Sequence, residues 1–306
     1  MMIELEGLTK KFDEILAVDR VTLNVRAGEV LALLGPNGAG KTTTVRLLSA
    51  ILQPTAGRAR VAGYDTVAQS REVRSRVGVL TEAPGLYTRM TGREYLDFFG
   101  EVRGLATSER RDRIAQLGDK FFMTFALDRR LGQYSKGMAQ KISLMRTLLH
   151  EPSVLLLDEP TSAMDPQSAR LVRNTILQLR STKRAIVVCT HNLAEAEELA
   201  DRIAIIRQGA IVAQGSPLEL KTQLLGPPVM EARFTQPSSN NIDSLVSEFV
   251  RVEESGVGWL RYRTEDPEET NPAVLHALLS AGVPVLTLQE VPRSLEAVYL
   301  RVVEEA

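Results

Sequence analysis

The sequence predicts an α/β fold built on a mostly parallel sheet with helices over both faces. Three observations predict it. EVLALLG (29–35), SVLLLD (153–158) and AIVVCT (185–190) are strand-length and apolar nearly throughout, as strands buried on both faces are. Segments with helical spacing of their apolar residues lie between them. A glycine-rich stretch, GPNGAGKT (35–42), joins one such strand to one such helix.

Taken in order, IELEGL (3–8) and VTLNV (21–25) read as short alternating strands before EVLALLG. KTTTVRLLSAIL (41–52) has helical periodicity, and RARVAGY (58–64) and VGVL (77–80) read as further strands. Thr91 is the expected N-cap of REYLDFFGEVRGL, which closes on glycines. Residues 107–130 read as helical, and YSKGM (134–138) opens a helix running to about His150. Strand 153–158, helix 166–180, strand 185–190, helix 192–200 and a hairpin-like IAIIRQGAIVAQG (203–215) follow. The tail alternates short strands and helices (229–234, 245–254, 259–264, 271–282, 283–290, 294–305), which predicts a small α+β module.

The 306 residues suffice for one large domain or two unequal ones. Pro227–Ala306 holds six arginines, no lysine and thirteen acidic residues, against 31 basic and 25 acidic residues before it. That shift beside GPP (226–228) predicts a boundary, giving domains 1–225 and 226–306. With a net charge of −1, nothing global calls for nucleic acid. The longest apolar runs, VLLL and AIVVC, are far shorter than the roughly 20 residues a spanning helix needs. The first residues, MMIELEGLTK, lack the apolar core of a secretory leader, and the lone Cys189 fits a reducing compartment.

Two stretches carry chemistry. In GPNGAGKT, Gly35, Gly38 and Gly40 permit the tight path that points backbone N–H groups at a phosphate, and the helix N-terminus adds its positive end. Lys41 then reaches the β- and γ-phosphates, and the Thr42 hydroxyl ligates Mg²⁺. The bland reading, a loop that only turns the chain, does not need a strand before it and a helix after it. VLLLDE (154–159) ends a buried strand on two carboxylates: Asp158 to hold Mg²⁺, Glu159 to orient or deprotonate a water. Alone, such a pair often just caps a turn. With the loop it completes the set that phosphoryl transfer requires.

YSKGM poses a different question, because Ser135 is a good N-cap and Gly137 permits close approach, yet both are far in sequence from the phosphate loop. With the Walker A stretch 35–42 and the Walker B stretch 154–159, this turn makes residues 2–225 resemble the ATP-binding subunit of an ABC transporter. The resemblance implies a P-loop NTPase fold with antiparallel N-terminal strands and a helical subdomain at about 84–150. It implies ATP as ligand, cradled by Gly35, Pro36, Asn37, Gly38, Ala39, Gly40, Lys41, Thr42 and Thr43, with Mg²⁺ on Thr42 and Asp158. Ser135 and Gly137 match the family's LSGGQ signature, which caps ATP held by the partner subunit; Tyr134, Lys136 and Met138 depart from it, and Gln140 and Lys141 follow as the family's Gln-Arg does. SAMD (162–165) resembles the D-loop, placing Asp165 at that interface, and His191 resembles the switch histidine at the γ-phosphate. With Glu159 and Lys41, His191 completes the catalytic set. Phe12 stands where the family stacks an aromatic on adenine, a plain core phenylalanine being the competitor. Glu82 occupies the place of the Q-loop glutamine, where a carboxylate ligates Mg²⁺ or orients water. Residues 84–103 match the groove that receives a membrane subunit, and SLEAVYL (294–300) is similar to SLEDVFL of exporter subunits.

The implied protein is an ATPase that drives export through separate polytopic membrane permease subunits. It would act as a homodimer or a heterodimer with a second ATP-binding subunit, in the cytoplasm, peripheral on the inner face of the cell membrane. A second reading is a soluble ABC ATPase that works on a ribosome or on DNA. One phosphate loop, one signature, no heptads between them and an acidic tail all argue against it. A third, non-catalytic reading would need a broken site, yet Lys41, Asp158, Glu159 and His191 are all present.

Overall fold

The computed structural model describes residues 1–83, 85–162, 164–235 and 242–304. Pro84 at the head of the expected helical subdomain, Ala163 of SAMD and Glu305 at the end of the tail lie outside the described residues. The chain forms two compact units, 1–217 and 218–306.

The first unit opens with a hairpin, β1 (Ile3–Phe12) and β2 (Ile15–Val25), turned at Asp13 with φ +46°. β2 begins well before VTLNV, because register shifts in the β1–β2 ladder interrupt the alternation that sequence reading relies on. β3 (Val30–Leu34) leads through the phosphate loop to α1 (Lys41–Leu48). The helix stops short of the periodic stretch, since Ala50 takes the left-handed conformation with φ +54°. β4 (Ala56–Val61) and β5 (Tyr64–Asp65) complete an antiparallel sheet of order β2-β1-β4-β5.

A short polar helix, α2 (Ser70–Arg76), which shows no apolar periodicity, precedes β6 (Val77–Leu80). The helical region follows: α3 (Gly92–Val102), α4 (Thr107–Lys120), two 3₁₀ turns (124–126 and 131–133) and α5 (Lys136–Leu148). Thr91 caps α3 in a reciprocal box with Glu94, as the sequence predicts. Then come β7 (Val154–Asp158), α6 (Pro166–Gln178), β8 (Ala185–Thr190), α7 (Leu193–Leu199), and the hairpin of β9 (Arg202–Arg207) and β10 (Ala210–Gly215).

The central sheet runs β10-β9-β3-β8-β7-β6, parallel except at the β9–β10 hairpin. Alternate residues of its buried strands feed two cores. Leu31, Leu33, Leu156 and Val187 pack with α1 and the antiparallel sheet, while Val30, Leu155, Leu157, Ile186 and Val188 pack with the helical region. Leu34 pairs with Thr190 and Asp158 with Cys189. The carboxyl ends of β3, β7 and β8 therefore lie side by side, where open α/β sheets place ligands.

The second unit contains α8 (Pro217–Leu225), β11 (Val229–Phe234), α9 (Ile242–Val246), β12 (Arg251–Gly256), β13 (Trp259–Arg263), α10 (Pro267–Ser280), β14 (Val285–Glu290) and α11 (Leu295–Glu304). Its antiparallel sheet, of order β12-β13-β11-β14, is the split βαββαβ arrangement. Met230, Ala232, Phe234, Leu260 and Tyr262 face a core shared with Val274 and Leu278. On the alternate positions, Glu231 is held between Arg233 and Arg261.

Candidate active site

The phosphate loop is shaped by what lies beneath it. A Cβ on Gly35 would sit 2.3 Å from the Ile206 carbonyl oxygen, and one on Gly40 would sit 2.4 Å from that of Ala17. Gly38 and Gly40 have φ of +81° and +106°, values L side chains rarely adopt. Gly40 is also the N-cap of α1, so the helix's unpaired N–H groups open towards the loop. Ala39 is buried and its carbonyl accepts from the Gly209 N–H at 3.0 Å.

Lys41 is buried and folds back over the loop, its Nζ donating to the carbonyls of Gly35 (2.6 Å) and Pro36 (3.1 Å). The Thr42 hydroxyl donates to Asp158 Oδ2 at 2.7 Å. Burial at the end of β7 pushes the Asp158 carboxyl up, the Thr42 bond opposes this, and the charges of Glu159 and Glu82 add to the rise. Glu159 follows with φ +49°, a left-handed conformation costly for a residue with a Cβ. Its N–H donates to the Cys189 carbonyl (2.8 Å). Its Oε1 accepts from the His191 N–H (3.1 Å), contacts His191 Nδ1 (2.8 Å), and lies 3.9 Å from Lys41 Nζ. The Glu159 side chain is only 8% exposed whereas that of His191 is 57% exposed, so the histidine forms the open side of the pair.

A cavity of about 380 Å³ runs along this edge. Asn37, Gly38, Gly40, Lys41, Thr42, Thr43, Glu82, Asp158 and Glu159 line it, and Ala17 of β2 adds a wall that sequence reading did not name. Its lining does not include Phe12, Ser135, Gly137 or Asp165. Phe12 ends β1 with 41% of its surface exposed and Lys10 Nζ 4.9 Å from its ring centre, so it is not a core residue. The other three gather separately. Ser135 caps α5 by accepting the Met138 N–H (3.3 Å), and Asp165 caps α6 by accepting the Ser168 N–H (2.9 Å), a bond that leads the lowering of its carboxyl pKa. A Cβ on Gly137 would lie 3.8 Å from Asp165 Oδ2 and 3.7 Å from Ser168 Oγ.

Two buried polar contacts escaped sequence reading. Gln140 Nε2 donates to the carbonyls of Glu159 and Pro160, and the Thr161 hydroxyl donates to Glu195 Oε1 at 2.6 Å. Burial is the main cause that raises the Glu195 carboxyl. For Gln140 the available signal was the polar row Gln140, Ser143, Thr147, which lies among the buried positions of its helix beside Ile142, Leu144, Met145 and Leu148.

The sequence profile of the ABC transporter family matches residues 18–162. The Nod factor export ATP-binding protein I of a Rhizobium species is 35% identical over 300 residues, covering 98% of this chain and 96% of that protein. This chain belongs to the ABC transporter ATP-binding protein family. ATP-binding protein NatA of Bacillus subtilis is 39% identical over 220 residues (70% and 89% coverage), and the daunorubicin/doxorubicin resistance ATP-binding protein DrrA of Streptomyces peucetius 37% over 265 (87% and 78%). A solved ATP-binding subunit of an ABC transporter is 28% identical, with a TM-score of 0.69 over 74% of this chain and 94% of that one. This ABC subunit therefore binds and hydrolyses ATP in the service of transport. Subunits of the family dimerise and work with membrane components, and among the described residues no helix is long and apolar enough to cross a membrane.

Proposed function

We propose that this ABC subunit powers export by closing with a second ATP-binding subunit over two ATP molecules, each centre being composite. One observation carries the reading. The hydrolytic cluster of Lys41, Asp158 and Glu159 lines one cavity, while Ser135, Gly137 and Asp165 form a separate cluster outside its lining. A phosphate-binding turn that does not serve its own cavity serves that of another molecule.

In this reading the N–H groups of residues 35–43 and the α1 N-terminus cradle the phosphates. Lys41 exchanges its carbonyl partners at Gly35 and Pro36 for phosphate oxygens. Thr42 and Asp158, already hydrogen-bonded, and Glu82 present the oxygen donors a hard cation prefers. Among the described residues no three His, Cys, Asp or Glu side chains converge closely enough to hold a metal ion by themselves, so phosphate and water would complete the shell. When bound, Mg²⁺ supplies charge neutralisation at the transferring phosphoryl group. Glu159 orients a water and accepts its proton, and His191 holds Glu159 on one side and the γ-phosphate on the other. Phe12 offers its exposed ring to adenine. From the partner come the Ser135 hydroxyl, the Gly137 N–H and the α5 N-terminus on the γ-phosphate, with Asp165 beside them. Closure depends on both faces touching that phosphate, so its loss favours opening.

Export rather than import is favoured by a relative that spans nearly the whole chain, named for Nod factor export, and by SLEAVYL. The membrane subunits would dock on residues 85–103, where Tyr87, Phe98 and Val102 are exposed, placing this ABC subunit on the cytoplasmic side of the membrane.

The test is Glu159→Gln with ATP and Mg²⁺. Turnover should fall by about 10²–10⁴-fold, the range for loss of a general base, while size-exclusion chromatography shows an ATP-dependent dimer. Near-wild-type turnover would remove Glu159 from its role, and a monomer at saturating ATP would remove the composite site.

A further inference from the structure

Gln140 has no part in the roles above, yet it is placed between them. It lies about a turn and a half beyond Ser135 on α5, is 4% exposed, and its single amide donates to two carbonyls, those of Glu159 and Pro160, each at 3.3 Å. A buried amide finds partners almost of necessity, but here both partners are the backbone of one functional residue and the next. Glu159 is also the residue whose left-handed φ must be imposed by its surroundings. Its N–H is fixed on Cys189, its carboxylate on the His191 N–H, and its carbonyl on Gln140 and the Ser162 N–H. Of these ties, Gln140 connects Glu159 to the helix whose first turn carries Ser135 and Gly137. Beyond Pro160, Thr161 is held by Glu195 of α7, so the segment 159–161 spans two helices.

We infer that Gln140 is a positioning residue that couples the two composite sites: it transmits occupancy at the Ser135–Gly137 turn to the carboxylate of Glu159 in the same subunit. The inference rests on the composite-site reading. ATP held by the partner bears on the α5 N-terminus; with the rest of α5 fixed in the core through Ile142, Leu144, Met145 and Leu148, the response is confined to its first turns, and the Gln140 amide carries it to the Glu159 carbonyl. Each subunit's hydrolysis is thereby made to depend on nucleotide in the other.

Gln140→Met keeps length and burial while removing the donor. It should leave ATP affinity of the isolated subunit within about twofold of wild type. In a Glu159→Gln background it should leave the ATP-dependent dimer intact. Its turnover should fall by about tenfold or more, within the 5–150-fold span of typical site coupling, and the Hill coefficient for ATP should drop towards one. A second variant, Gln140→Glu, regains a donor when protonated, so its turnover deficit relative to wild type should narrow as pH is lowered. Wild-type turnover and cooperativity in Gln140→Met overturns the inference, as does a deficit in Gln140→Glu that does not change with pH. A matching loss of single-subunit ATP binding assigns Gln140 to fold maintenance and overturns it too. Failure of Glu159→Gln alone to dimerise sinks the composite site and this inference together, whereas an intact dimer with unaltered Gln140→Met kinetics sinks only the coupling.

Discussion

The two glycine turns of this ABC subunit, GPNGAGKT and YSKGM, both open onto helix N-termini but have opposite structural justification. In the first, glycine is demanded by the chain itself: Gly35 and Gly40 have carbonyl oxygens of Ile206 and Ala17 where a Cβ would go, and Gly40 has φ +106°. In the second, a Cβ on Gly137 would meet only ordinary contacts, at 3.7 Å and beyond, and the residue has no left-handed φ. Among the described residues nothing explains why position 137 is glycine. The cradle is finished by folding, whereas the glycine of the signature turn finds its reason only in the composite site proposed above.

The largest expected effect tests the first half of that contrast. Gly40→Ala forces a methyl against backbone and holds alanine in the left-handed region. Overpacking costs roughly 1–3 kcal/mol and the conformation roughly 1–2 more, so a loss of about 3 kcal/mol is expected. For a domain of this size that lowers Tm by roughly 6–12 °C, measured without nucleotide. A wild-type Tm would mean the cradle is not fixed by packing at all.

The contrast also runs along α5, whose far end is anchored by its own subunit. His150, just past that helix, hydrogen-bonds the Val77 carbonyl at 3.2 Å. Burial, then the nearby Arg103 charge, lower its pKa from 6.5 to about 4, the Val77 bond partly opposing. The unfolded chain therefore binds more protons than the folded one between pH 6.5 and 4, and stability is lost as pH falls through that window. The difference amounts to up to about 3 kcal/mol at 1.36 kcal/mol per unit. His150→Gln, which keeps a donor for Val77, should flatten this acid loss relative to wild type in denaturant titrations across the window. An unchanged slope would mean that His150 is not the group responsible.

What could be read in advance follows the same division. The loop, the Walker B carboxylates and the strands beneath them are contiguous patterns whose chemistry depends on spacing, and the parallel strands stand where the apolar runs are. Residues 15–20 of β2 were not legible because bulges break the period, and α2 was not because SREVRSR has no apolar face. Gln140 was visible as a residue but not as a tie to Glu159, a contact across 19 positions that only packing creates. The left-handed Glu159 was equally hidden, since nothing in VLLLDEP requests that conformation.

The smallest stability effect is the one that separates folding from function most cleanly. Gly137→Ala replaces a helical glycine within the first turn of α5, where alanine has the room and the better propensity, by roughly 0.5–1 kcal/mol in a helix interior. Thermal melting of the nucleotide-free subunit should therefore show a Tm equal to or slightly above wild type. ATPase activity should nonetheless fall, and ATP-dependent dimerisation with it, because in the proposed composite site the added methyl would stand where a partner's phosphate reaches the backbone N–H. A variant that is more stable and less active would assign this glycine to the neighbouring subunit's nucleotide. A variant that is less stable in the absence of nucleotide would instead place the reason for glycine inside the fold, and the distinction between the two turns would dissolve.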